Sequence, residues 1–257
     1  MQGILKEVDA IINKKLCVNN FSTRTSCQDR SKVPLPNLDG CALIESVYGK
    51  IHDNWNKKPS RSQENWRWKP NTKLPGSTIE VQIERELVRK SGGAWINQVP
   101  ASSGLTNGRA DTRLAIDLVR WCEDGWYEFI ELKAESNTPL YAAMEILQYG
   151  ILYIFSRIHR DKLGYRPHKN PLLWGEGVRL KVLAPDNYYK YKERGKKDLK
   201  PYELEWLEKM INKGLCAFLP EPKRDFGMTF SFESFANKED LLKDPLSNRN
   251  PFYPISS

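Results

Sequence analysis

The spacing of apolar and polar residues predicts alternating helices and strands in the middle of the chain. Residues 114–119 and 126–130 are short apolar runs typical of strands, and the Glu-Asp-Gly sequence between them is a turn signal. Apolar positions at helical spacing predict helices that end near residues 90 and 157. A further apolar run at 178–184 predicts another strand. This order predicts an α/β fold in which helices flank a mixed central β-sheet.

The chain divides into three segments by composition and by the pattern of apolar residues. Residues 1–75 are a helical and basic extension with a Trp-rich linker, and residues 76–185 are the alternating core. Residues 186–257 form a second extension with a predicted helix at about 201–213, a predicted strand at 226–232 and an irregular tail. We therefore expect one core domain with an extension at each end.

Capping signals precede both core helices. Ser77 and Glu80 have the spacing of a capping box, in which a hydroxyl and a carboxylate satisfy the free amides of a helix start. Thr138 stands just before a proline, a combination typical of a helix N-terminus.

The length of the turn decides which side chains face each other on the predicted hairpin. With a three-residue loop ending in a left-handed glycine, Cys122 pairs with Trp126 and Asp117 falls directly opposite Glu131. Opposed residues have Cβ atoms about 4.5–5.5 Å apart, close enough for two carboxylates to bind one ion. A two-residue loop would instead place Asp117 opposite Leu132. Both turns are chemically plausible, and the functional interpretation favours the longer loop.

Lys133 shares a face with Glu131 because side chains alternate between the two faces of a strand. An Asp, a Glu and a Lys on one face form a set that can hold a divalent metal ion and direct a water onto a phosphate. Asp117, Glu131 and Lys133 therefore suggest a nuclease.

The Asp117 strand and the Glu131-Leu132-Lys133 tripeptide resemble the motif of the PD-(D/E)XK nuclease superfamily, which includes many restriction endonucleases. Residue 116 is Ile where the namesake motif has Pro. The resemblance covers residues 77–157 and implies a restriction-endonuclease-like core. It also implies that Asp117 and Glu131 coordinate Mg²⁺, with Mn²⁺ able to substitute, and that the Leu132 carbonyl adds a ligand. Lys133 would orient or deprotonate the attacking water.

The same resemblance assigns residues on the two flanking helices. Glu84 matches the Glu that the first helix often adds to the metal site; the alternative is a solvated charge on the helix face. Gln148 and Tyr149 resemble the catalytic Gln and Tyr of the RecB-like branch, although their spacing differs; the alternative is a polar helix edge with a core tyrosine. Asp111 is the alternative candidate for the Asp in the first half of the PD-(D/E)XK motif. The polar stretch at 97–104 is expected to be an ordinary connector.

Charge and aromatic residues indicate a polyanionic partner. The 257-residue chain has a formal net charge of +8 and a pI near 9.1, which favours nucleic acid. Predicted contacts with nucleic acid are Arg109, Lys192, Lys196 and Lys197. Trp residues at 55, 66 and 68 lie among basic residues, where they would stack on bases or anchor the linker in the core.

These features together predict a Mg²⁺-dependent DNA endonuclease of a restriction or phage-defence type, acting as a homodimer if both strands are cut together. The alternatives are an RNase, a non-catalytic nucleic-acid-binding module that keeps the fold, and a structural protein with a surface Glu–Lys ion pair. Five scattered cysteines and the absence of a secretory signal predict reduced thiols in the cytoplasm. No membrane span and no Gly-rich phosphate loop are expected.

Overall fold

The structure is a computed structural model. It describes residues 3–21, 24–35, 37–72, 78–107, 114–134, 136–193, 195, 197–219 and 226–253. The described residues form seven α-helices: α1 (Val8–Leu16), α2 (Arg24–Ser31), α3 (Gly40–Asn54), α4 (Ile79–Lys90), α5 (Pro139–Ile158), α6 (Glu205–Phe218) and α7 (Lys238–Lys243). They also form eight strands: β1 (Trp95–Pro100), β2 (Ala115–Trp121), β3 (Trp126–Leu132), β4 (Gly177–Pro185), β5 (Lys190–Lys192), β6 (Leu199–Pro201), β7 (Gly227–Phe235) and β8 (Asn250–Pro251).

Six strands form one mixed sheet in the order β1-β2-β3-β4-β7-β8. The first three strands are antiparallel neighbours, β3, β4 and β7 run parallel, and β8 adds an antiparallel edge. Strands β5 and β6 pair separately as a two-stranded ribbon. The predicted mixed α/β fold is therefore confirmed.

The sheet buries apolar side chains on both faces, as a sheet covered by helices on each side must. On one face, Phe129 of β3 belongs to a large cluster with residues of α1, α3, α5 and α6. On the other face, Ile130 and Leu132 pack against α4 and α7. The large cluster draws residues from all three segments of the chain, while the predicted boundaries at 75 and 185 stay predictions.

Helix α5 lies close against the sheet and is buried on nearly all sides, which explains its apolar composition. Gly150 permits this approach, since a Cβ there would be 2.5 Å from Cδ1 of Leu180 on β4. The helix begins where it was predicted to begin, with Thr138 accepting a hydrogen bond from the Tyr141 amide at 3.3 Å.

The hairpin has the register of the three-residue loop. Val119 pairs with Phe129, and the amide of Cys122 donates to the carbonyl of Trp126 at 2.8 Å. Gly125 has a φ of 78°, the left-handed conformation that this loop requires. Continuing this register places Asp117 opposite Glu131.

Several predicted elements differ from the structure. Residues 24–31 form α2, and residues 95–100 form β1, which overlaps the stretch at 97–104 that was expected to be a connector. Helix α6 begins at Glu205 rather than near residue 201, because residues 199–201 pair with β5. The tail contains α7 and β8 and is therefore not irregular throughout.

The N-cap of α4 is Thr78, whose side chain accepts from the Val81 amide at 3.4 Å. The capping box predicted for Ser77 and Glu80 is therefore wrong for Glu80, and Ser77 lies outside the described residues. The Glu80 carboxylate instead accepts from the Ala134 amide at 3.3 Å and from the Ser136 hydroxyl at 3.0 Å. These contacts fix the start of α4 to the loop that follows β3.

Candidate functional site

Asp117 and Glu131 lie together where β2 begins and β3 ends. The backbone pairing of the two strands ends at Leu118 with Ile130, and one residue further the side chain of Asp117 bonds to β3 instead. Its Oδ2 accepts from the Leu132 amide at 3.0 Å. After burial, the charge of Asp117 is the largest influence that raises the pKa of Glu131, as expected for carboxyl groups at facing positions.

Lys133 supplies the positive charge of this cluster. Its Nζ lies 2.5 Å from Oε1 of Glu131 and 3.1 Å from Oε2 of Glu145 on α5. Burial acts to lower the pKa of Lys133, but the charges of Glu131, Glu145 and Asp117 outweigh it and raise that pKa above its usual range. The side chain is therefore an ammonium ion in the metal-free protein.

Glu84 joins the cluster through Gln98. Glu84 is 1% exposed, which excludes the alternative of a solvated helix charge. Its Oε2 accepts from Nε2 of Gln98 at 3.0 Å and from Nδ2 of Asn97 at 3.4 Å. The same Gln98 amide lies 3.4 Å from Oδ1 of Asp117, so one side chain links the two carboxylates.

Gln98 adopts an unusual backbone conformation to make this link. Its φ is 50°, in the left-handed region that residues other than glycine rarely enter. The pairs on either side, Asn97 with Leu118 and Val99 with Ile116, place Gln98 opposite Asp117. Strained backbone of this kind concentrates at functional sites. The stretch expected to be an ordinary connector therefore contributes directly to the site.

The cluster contains more carboxyl groups than its one lysine can pair. Burial, followed by the charge of Asp117, raises the pKa of Glu84 to about 8. Burial raises the pKa of Asp117 to about 6, with Glu145 adding to the rise and Lys133 opposing it. Burial and the charges of Asp117 and Glu145 raise the pKa of Glu131 well above its usual range. Such a cluster favours any added cation.

Glu128, on the opposite face of β3, shows the contrasting case of a structural ion-pair cluster. Arg120, Lys181 and Arg249 contact its carboxylate at 2.7, 2.6 and 3.1 Å. Burial acts to raise the pKa of Glu128, but the three cations lower it far below its usual range. Glu131, three residues later, has no such surplus of cations. The two sites of β3 therefore differ in charge balance although both are buried.

The donor chemistry of the site fits a divalent cation. The described residues include no group of three or more His, Cys, Asp or Glu side chains already arranged around an ion position. Oε2 of Glu131 is nevertheless buried without a hydrogen-bond partner among those residues, and carboxylate oxygens are the ligands that Mg²⁺ prefers. Glu84, Asp117 and Glu131 therefore supply ligands of the type that Mg²⁺ prefers, although they do not form such a group, and Lys133 is the cation that contacts Glu131 and Glu145.

Helix α5 contributes Glu145, which contacts Lys133 and was not among the predicted site residues. Gln148, one turn later, is 4% exposed, and its Oε1 has no hydrogen-bond partner within the part of the chain that the structure describes. Tyr149 is buried as well, and its pKa is raised by burial and then by the charges of Glu145 and Glu131. Glu145, Gln148 and Tyr149 lie on one face of the helix by their spacing, and Glu145 is the one that contacts Lys133.

The predicted nucleic-acid contacts are only partly within the described residues. Lys192 on β5 and Lys197 after it are exposed, whereas Arg109, Asp111 and Lys196 lie outside the described residues. Trp66 is fully buried between Phe129 and Tyr153, and Trp55 is 6% exposed. These two tryptophans are core anchors, so a base-stacking role for them is wrong.

Comparisons with known proteins found no similar protein. No family model matches the chain, and neither the curated proteins nor the solved structures include a match. Within the described ranges, no helix has the length and apolar character needed to cross a membrane.

Proposed function

We propose that this chain is a Mg²⁺-dependent nuclease of the PD-(D/E)XK type that cleaves DNA internally. The observation that carries the proposal is the surplus of buried carboxyl groups around Lys133, with the pKa values of Glu84 and Asp117 raised to about 8 and about 6. The order of elements supports it: the helix with Glu84 precedes the Asp117 strand, which precedes the Glu131 strand and then α5. This is the order that the resemblance implies.

Asp117 and Glu131 would hold the ion, with Glu84 linked to them by Gln98 and the Leu132 carbonyl as the ligand that the resemblance adds. When bound, Mg²⁺ would polarise the scissile phosphate and lower the pKa of a coordinated water. The Leu132 amide already fixes Oδ2 of Asp117 at 3.0 Å, so that carboxylate is oriented before any ligand arrives.

Lys133 acts in this proposal as a hydrogen-bond donor and a positive charge. Its raised pKa favours the ammonium form, so deprotonation of the attacking water by Lys133 is the less favoured of its two expected roles. An ammonium held in place by Glu131 and Glu145 offsets charge that develops on the phosphate without reorganising at that moment.

A non-catalytic nucleic-acid-binding module is the second candidate. The observation that favours it is that Lys133 already contacts two of the carboxylates, while no three-residue metal group is formed among the described residues. In such a module the lysine would be a permanent substitute for the ion.

Cleavage of plasmid DNA by the purified protein distinguishes the two candidates. We expect cleavage with Mg²⁺ or Mn²⁺, none with EDTA or Ca²⁺, and none by Asp117→Asn, Glu131→Gln or Lys133→Met. These near-isosteric changes preserve shape, and circular dichroism checks the fold. Glu123→Ala, an exposed carboxylate in the turn of the same hairpin, is the control and should cleave normally.

Cleavage that persists in EDTA would refute the metal-dependent mechanism. Binding of DNA in a gel-shift assay without any cleavage would support the module instead. RNA in direct competition with duplex DNA tests the substrate: cleavage of RNA in preference to DNA would make the protein an RNase.

A further inference from the structure

A short 3-10 helix, Asp186–Tyr189, follows β4 at the edge of the sheet where Lys133 lies. Strands β3 and β4 are parallel, so their carboxyl ends meet at this edge, and the Lys133 amide donates to the Leu183 carbonyl at 3.0 Å. Ligands of sheets with parallel strands commonly bind at such an edge. The helix therefore presents its side chains beside the candidate site.

Two consecutive tyrosines in this helix have different hydrogen-bonding environments. Tyr189 donates to the carbonyls of Val182 and Glu233, both at 2.8 Å, and so anchors the helix to the sheet. Tyr188 is only 9% exposed, but its hydroxyl has no hydrogen-bond partner among the described residues. Buried hydroxyls in native proteins nearly always have a partner, so an unsatisfied one needs an explanation.

The surroundings of Tyr188 indicate what that partner is. Burial raises its pKa, and the charges that act on it most belong to Lys133, Glu131 and Glu145, which are site residues. The hydroxyl therefore stays protonated and is able to donate. A neutral donor within electrostatic range of an ammonium ion suits an anionic oxygen.

We propose that the Tyr188 hydroxyl is a further catalytic group, which donates a hydrogen bond to a non-bridging oxygen of the phosphate being cleaved. This inference rests on the proposed nuclease function. No proton is transferred in this step: the hydroxyl keeps its proton, and the hydrogen bond strengthens as charge develops on the phosphate oxygen. Lys133 and Tyr188 would approach the phosphate from the ends of neighbouring parallel strands.

The matched pair Tyr188→Phe and Tyr189→Phe tests the proposal. Each change removes one oxygen and keeps the ring, and the two rings pack edge to face with centroids 5.5 Å apart. Tyr188→Phe removes a hydroxyl without a partner, so its Tm should equal or exceed that of the wild type. Its kcat for plasmid cleavage should fall about 10- to 100-fold, as expected for one lost hydrogen bond to a charged group.

The control variant should behave in the opposite way. Tyr189→Phe loses two hydrogen bonds that anchor the helix to the sheet, so its Tm should fall, while kcat per folded molecule should fall much less than in Tyr188→Phe. The Kd for the same DNA in Ca²⁺ should change less than about twofold in Tyr188→Phe, since a bond to developing charge affects turnover more than binding.

Three results would count against the inference. Wild-type turnover in Tyr188→Phe would show that an ordered water satisfies the hydroxyl, and a fall in both Tm and kcat would show a structural role. In both cases the nuclease function would stand, because the wild type cleaves. If the wild type itself does not cleave with Mg²⁺ or Mn²⁺, the proposed function fails and this inference fails with it.

Discussion

Replacing Glu84 by Gln should make the metal-free protein more stable at alkaline pH. Glu84 is 1% exposed, and burial and the Asp117 charge raise its pKa to about 8 from an ordinary value of 4.5. The native state therefore keeps a proton that the unfolded chain loses at lower pH. Stability from this group is fully present below pH 4.5 and is lost as the pH rises through 8.

The size of the effect follows from the two pKa values. Their difference, 8 minus 4.5, is 3.5 pH units, which corresponds to about 5 kcal/mol at roughly 1.4 kcal/mol per unit. Gln has the shape of protonated Glu, keeps an acceptor for the amides of Asn97 and Gln98, and does not ionise. Wild type and Glu84→Gln should therefore match at pH 4, and the variant should be several kcal/mol more stable at pH 9.

Urea unfolding in EDTA between pH 4 and pH 9 measures this difference. Glu86→Gln is the control, because Glu86 lies on the same helix with its carboxylate partly exposed near Lys238, and its effect should stay within about 1 kcal/mol. Saturating Ca²⁺ should restore more stability to the wild type than to Glu84→Gln, since only the wild type regains a paired carboxylate. A variant that is less stable at every pH, or a gain independent of pH, would refute the reasoning.

Two further predictions concern the core and the partner. Trp66→Ala should lower the free energy of unfolding by about 3–5 kcal/mol, because it leaves a cavity beside Phe129 and Tyr153. Trp121→Ala, at a position 46% exposed, should lower the free energy of unfolding much less in the same urea titration. Lys192→Glu with Lys197→Glu should weaken binding to all DNA sequences and reduce the log–log salt slope by about 2, at roughly 0.9 per phosphate contact. As a control, reversing the charges of Lys238 and Lys243 of α7, on the other side of the sheet, should leave the salt slope unchanged. An equal loss of DNA affinity in this control, or a wild-type affinity that does not depend on salt, would contradict the assignment of Lys192 and Lys197 as DNA contacts.

The hairpin was predictable because its determinants are local. A glycine in the third loop position and strands with a period of two limit the hairpin to two registers, and the register of the three-residue loop sets Asp117 against Glu131. The choice of that loop rested on the functional interpretation, because both turns were chemically plausible. Helix α5 was predictable for the same reason, since Thr138 and the following proline mark its start. Local signals of this kind do not depend on how the rest of the chain packs.

The partners of the site were not predictable in the same way. Glu145 contacts Lys133 because α5 packs across β3 and β4, where Gly150 lies against Leu180. Gln98 was missed because polar residues interrupt the apolar pattern of β1, and its left-handed backbone has no glycine to signal it. Tyr188 has no local signature, and only the parallel pairing of β3 with β4 brings it to the site.

The two acidic residues of β3 show most directly why sequence alone was insufficient. Glu128 and Glu131 are the same residue type, three positions apart and both buried, yet the pKa of the first is lowered and that of the second is raised. The cause lies in distant segments: Arg249 of the tail and Lys181 of β4 reach Glu128, whereas Glu145 adds negative charge beside Glu131. A buried carboxylate surrounded by cations keeps its charge, whereas one left beside other carboxyl groups tends to hold a proton or to accept a cation from solution. The functional interpretation of Glu131 therefore depends less on the tripeptide that contains it than on its surroundings. Three cationic side chains contact Glu128, whereas Lys133 is the cation that contacts Glu131.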